Sequence, residues 1–114
     1  MTFVRHDTLS ASVEDTITAT TTNTEDNVAA SINIYAASVV HRRYNRFYEV
    51  EVQNVTGDDE IYFTVDGTTA SVLANDNHVL PAVAGSSLMV PIYAQEVEIR
   101  LISAGTPTYS VEVR

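Results

Sequence analysis

The side chains able to do chemistry are few and scattered. The three histidines stand at positions 6, 41 and 78, and no two share the H-x-x-x-H spacing that places a pair of ligands on one helix face. They read as surface or loop histidines. The run Asn75 to His78, "NDNH", together with Asp58, Asp59 and Asp66 offers oxygens of the kind Ca²⁺ takes. A calcium loop alternates its ligands and sets a glycine at the sharp turn, and this run does neither. Asn and Asp are also the residues that build turns, so no metal ligand and no cofactor is assigned. Ser86 and Ser87 follow Gly85 without the G-x-S-x-G pattern of a strained nucleophile turn. Gly57 and Gly67 are isolated, so no phosphate-cradling loop is formed. The sequence contains no cysteine, which removes disulfides and thiolate chemistry. No acid/base or nucleophile constellation emerges, and the chain is expected not to be an enzyme.

One stretch stands out for recognition rather than catalysis. His41 to Tyr48, "HRRYNRFY", gathers Arg42, Arg43 and Arg46 around Tyr44, Phe47 and Tyr48. Arginine forks onto carboxylates and tyrosine gives rigid amphipathic area, the two properties most used where a protein meets a partner. Arg42, Arg43, Tyr44, Arg46 and Tyr48 form the candidate docking patch, suited to an acidic surface, including that of a neighbouring copy. Two other readings stay open. The arginines can offset nearby acids in a solvated linker, or stack with the aromatics on single-stranded nucleic acid.

The charge balance weighs against the last of these. Fifteen acidic residues face six basic ones, for a net charge of −9, and all six basic residues are arginine. Such a chain repels phosphate backbones at long range, so no nucleic-acid partner is expected. A solvated acidic surface that keeps a concentrated protein soluble is the simplest account. No stretch reaches the length of a membrane span, and the N-terminal residues "MTFVRHDTLSASVEDT" lack an apolar signal core. A soluble protein made in the cytoplasm is expected, with no membrane partner. "NVT" at Asn54 to Thr56 matches the glycosylation acceptor pattern, which without a secretory signal reads as coincidence.

The elements that must carry these residues are strands. At 114 residues and 45% hydrophobic side chains, the chain can bury one core. From Phe47 onward, period-two alternation dominates. In "RFYEVEVQN", Tyr48, Val50 and Val52 share one face and Phe47, Glu49, Glu51 and Gln53 the other. "TGDD" then turns the chain into "EIYFTVDGTTASV", read as strand, Asp66-Gly67 turn and second strand over residues 68–73. Leu88, Val90 and Ile92, then Val97, Ile99 and Leu101, then Tyr109, Val111 and Val113 alternate in three further runs. Pro91 cannot donate to a ladder, which puts its strand at a sheet edge or a bulge. Short strands joined by short turns argue for an antiparallel β-sandwich, Ig-like or jelly-roll-like.

The first third differs. Ser10 to Thr24 is threonine-rich, with Val13, Ile17 and Ala19 on one face and Asp15 interrupting it. Residues 24–40 fit either helical or strand spacing, with strand favoured by β-prone neighbours. The expected organisation is an extended arm or edge strands over residues 1–40 and a β-sandwich domain over residues 41–114.

The segments "VQNVTG", "IYFTVDGTT", "VLPA" and "LISAGTPTYSVE", spread over Phe47 to Arg114, resemble small β modules of tailed-bacteriophage virion proteins, among them capsid decoration (cement) proteins and minor tail proteins. The resemblance implies a non-enzymatic protein on the virion surface that binds the major capsid protein or other virion proteins, commonly as a homo-oligomer, with a trimer favoured. The expected function is a capsid decoration protein that lies across coat-subunit seams and stabilises the assembled head. The alternatives are a minor tail or head-fibre component and a carbohydrate-binding or adhesin β-sandwich module.

Overall fold

The computed structural model describes residues 2–20, 46–73 and 75–114, and within them every regular element is a strand. The strands are β1 (Phe3–Thr8), β2 (Asp15–Thr20), β3 (Phe47–Asn54), β4 (Ile61–Thr64), β5 (His78–Leu80), β6 (Ser86–Ala94), β7 (Glu96–Ile102) and β8 (Thr108–Val113). They form two four-stranded antiparallel sheets, ordered β1-β8-β3-β6 and β2-β7-β4-β5. The expected β-sandwich is what the chain builds. Residues 24–40, His41 and the patch residues Arg42, Arg43 and Tyr44 lie outside the described residues.

Alternation makes the core. Val97, Ile99 and Leu101 of β7 and Tyr109, Val111 and Val113 of β8 are all buried. Each set sits in the middle of its sheet, where one face meets the other sheet and the next residue along meets water. Ile17 and Ala19 of β2, Val50 and Val52 of β3, Ile61 and Phe63 of β4 and Leu80 of β5 complete the layer between the sheets. Residues 3–20 therefore give an edge strand to each sheet. Leu9, between those two strands, is itself part of the core. The crossing is pinned to the loop before β8: Leu9 N–H donates to the Pro107 carbonyl (3.0 Å) and Ser12 N–H to the Ser103 carbonyl (2.8 Å).

Two local expectations are corrected. Phe47, not Tyr48, shares the buried face with Val50 and Val52, while Tyr48 is exposed. The cause is a β-bulge: the N–H groups of Tyr48 and Glu49 both donate to the Arg114 carbonyl, at 2.7 and 2.8 Å. Two residues of β3 thus oppose one of its neighbour, and the side-chain phase slips by one. The second correction concerns residues 68–73, which form no strand. Asp66-Gly67 does turn the chain, with Gly67 at φ +81°. β4 then takes β5 and β7 as its partners instead. The returning segment is held by single contacts, the Thr64 hydroxyl donating to the Thr68 carbonyl (2.6 Å) and Ala70 N–H to Glu14 Oε2 (2.6 Å).

Candidate functional site

The described part of the predicted docking patch lies where β3 begins beside β6. Phe47 anchors the chain there by burying its ring in the core, and the bulge that follows turns Tyr48 outward. On this surface Tyr48 meets Tyr93 of β6, ring centroids 5.6 Å apart and planes inclined at 52°. The Arg46 guanidinium carbon sits 5.1 Å from the centroid of the Tyr93 ring, within reach of its electron-rich face. Tyr93 is 66% exposed and Tyr48 46%. The structure therefore brings together Arg46 and Tyr48 of the predicted patch and adds Tyr93, which sequence reasoning missed. Tyr93 is one tyrosine in an apolar run, and only the β3–β6 pairing places it against Tyr48.

The patch continues along β6, an edge strand as Pro91 requires, with a register shift where it passes Phe47 and Glu49. Glu49 and Arg114 exchange both backbone hydrogen bonds (2.8 and 3.0 Å), so Glu49, Glu51 and Gln53 turn their backbone polar groups toward β8. Val50, Val52 and Asn54 turn theirs toward β6, where their partners are Val90, Leu88 and Ser86. The N–H and C=O groups of Ser87 and Met89 then face outward, as does the carbonyl of Pro91. Pro91 lacks its N–H on the side where no described strand lies. Leu88 and Met89 are exposed, at 37% and 50%.

A charged cluster borders the patch. Arg114 contacts the carboxylates of Glu49, Glu112 (3.1 Å) and Glu51 (3.5 Å), and its Nη2 lies 3.8 Å from Met89 Sδ. The hydrogen bond that the guanidinium donates to the Glu49 carboxylate, ahead of the charges of Glu49 and the other two carboxylates, raises its pKa above the ordinary value.

The other side chains considered from the sequence serve the fold. Asn54 is fully buried: its Nδ2 donates to the Asp59 and Pro81 carbonyls (2.8 and 3.0 Å) and its Oδ1 accepts from Gly57 N–H (2.9 Å). Both amide hydrogens of the "NVT" asparagine are committed in the folded chain. His6 lies exposed on β1, and the His78 ring packs on Phe63 with centroids 5.1 Å apart. A polar cleft of about 150 Å³ lies among Thr64, Val65, Asp66, Thr68, Asp76 and His78. There the Asp66 carboxylate accepts from the Thr68 hydroxyl (2.7 Å) and N–H (3.1 Å), which lowers its pKa. Among the described residues no three His, Asp or Glu side chains converge as metal ligands, and no helix is long and apolar enough to cross a membrane.

No protein-family model, curated protein or solved structure matches the chain.

Proposed function

We propose that this chain is a non-enzymatic structural protein of a virion, most concretely a capsid decoration protein that binds the major capsid protein across the seams between coat subunits. The observation that carries this reading is the Arg46–Tyr93–Tyr48 cluster, a half-buried guanidinium against two exposed rings, at the end of an edge strand. Stacking on Tyr93 holds the guanidinium in place before a partner arrives, so less side-chain freedom is lost when it forks onto a carboxylate of the coat. The two tyrosines supply the adjoining apolar area. A protein that binds only the assembled shell stabilises that shell by mass action. The acidic remainder of the surface keeps unbound copies soluble at the concentrations that decoration requires.

A minor tail or head-fibre role would use the same contact on a different virion surface. The carbohydrate-binding alternative has less support, because rings inclined at 52° do not make the flat platform on which a sugar face stacks.

The test is co-sedimentation of the purified chain with empty shells assembled from the coat protein of the same genome. The wild-type chain pellets with shells, and Arg46→Glu and Tyr93→Ala each weaken attachment by roughly 10-fold or more. A folded wild-type chain that stays in the supernatant, or variants that bind as well as wild type, would overturn this reading.

A further inference from the structure

Among the described residues four strands end the two sheets, and three of them carry devices that discourage pairing with another chain. β1 puts Arg5 and Asp7 at inward register positions, opposite the buried Val111 and Tyr109. Their side chains pair with each other at 3.1 Å. β2 turns Asp15 inward, and β5 is only three residues long. Inward charges and short edges are the usual protections. β6 differs: it runs nine residues, "SSLMVPIYA", without a charged side chain. It exposes Leu88, Met89 and Tyr93, and its protections are Pro91 and the register shift that lies beyond it, leaving residues 86–90 regular.

We propose that β6 pairs edge to edge with β6 of a second copy of this chain, antiparallel about a two-fold axis. The outward backbone groups fix the register. Setting Ser87 of each copy opposite Met89 of the other makes two hydrogen-bonded pairs and four N–H···O=C bonds. None of the four asks Pro91 for the N–H it lacks. A pairing centred on Met89 would place Pro91 opposite Ser87 and lose the donor of two of its six bonds; it gains no bond over the first register and leaves two Ser87 carbonyls facing a ring without an N–H, so the proline favours the first register. The axis then passes between the two Leu88 residues, whose exposed side chains meet on the core side of the joined sheet.

Charge argues for a second copy as the occupant. At a net charge of −9, copies repel wherever acidic faces meet, and an uncharged strand is the place where they can approach. A cationic partner would instead be drawn to the glutamates. The nearest of these, Glu49 and Glu51, lie one strand in from β6. Across the joint they face their counterparts over three strand spacings, about 14 Å, beyond the screening length of about 8 Å at physiological salt. A two-fold contact of this kind closes at two copies, in place of the three that the resemblance implies, and it holds whether or not the chain decorates a shell.

The experiment is the mass of the full chain by light scattering and sedimentation between about 1 and 200 μM, a range that brackets ordinary weak dimers. The expected result is a monomer–dimer equilibrium that ends at twice the chain mass. Ser87→Pro removes an outward N–H and leaves the ladder to β3 intact. Met89→Glu sets charges against the facing strand. Both should weaken the dimer roughly 10- to 100-fold while keeping the wild-type near-UV circular dichroism. Tyr93→Ala should lower shell attachment and leave the dimer in place, which separates this contact from the docking patch. A monomer throughout the range, a trimer, or a dimer that both edge variants leave unchanged would overturn the proposal.

Discussion

The Tyr109 hydroxyl donates to the Asp15 carboxylate across the gap between the two sheets. Tyr109 belongs to the buried row of β8, and Asp15 occupies the inward position at the start of β2, beside Leu101. The acid that interrupts an apolar alternation in the sequence is therefore satisfied by a phenol from the opposite sheet. This spares it the cost of facing a core unpaired.

The contact has a pH signature. Burial first, then the Asp15 hydrogen bond and charge, push the Tyr109 pKa well above its ordinary value of 10.0. The folded state holds the phenol proton more tightly than the unfolded state, so its contribution is fully present below pH 10. It is lost as pH rises from there toward the folded pKa. Tyr109→Phe should cost about 1–2 kcal/mol at neutral pH. It should also reduce the fall in stability above pH 10, as read by urea melts at a series of pH values.

Asn54 and Gly57 close the turn after β3, joined by the Gly57 N–H that donates to Asn54 Oδ1. Gly57 has φ +70°, and a Cβ built on it would stand 2.2 Å from the Ala84 backbone nitrogen. Gly57→Ala is expected to lose roughly 2–4 kcal/mol. Asn54→Asp replaces two amide donors with a carboxylate facing two carbonyls and should lose a similar amount. Chemical denaturation measures both, and a loss under half a kcal/mol for either would show that the turn relaxes around the change.

Arg114 holds three carboxylates on the outer face of its sheet. Among the described residues, Arg114→Ala leaves Glu49, Glu51 and Glu112 without the cation they share. Its melting temperature should fall below wild type in dilute buffer. The gap should narrow in about 1 M salt, where the screening length is about 3 Å. A gap that does not respond to salt would mean that packing against Met89, not charge, is what the arginine supplies.

The strands that were legible in the sequence are those whose environment is uniform. β7 and β8 lie between two neighbours each, with no bulge, so their apolar residues alternate as pairing and burial both demand. β3 was legible as a strand, but the phase of its first residues was not. The bulge at Tyr48 and Glu49 depends on the Arg114 carbonyl, from the far end of the chain. Residues 68–73 carry a local turn signal and β-prone side chains, yet β4 pairs with β5 and β7. Nothing within six residues of Gly67 reveals that choice. The candidate patch was picked out by composition, an arginine and aromatic cluster in an acidic chain, and of its residues only Arg46 and Tyr48 are among the described ones. Its third described member, Tyr93, becomes part of it only through sheet topology.

The sheet order also governs when this protein can exist. Among the described residues, β1 pairs only with β8 and β2 only with β7. β1 and β2 thus wait for β8 and β7, made later, before either sheet can be completed. Every intermediate length exposes unsatisfied strand edges, and closing such distant pairs makes folding slow. Neither sheet is complete until β7 and β8 are in place. Removing residues 109–114 takes away all but one residue of the strand that β1 pairs with.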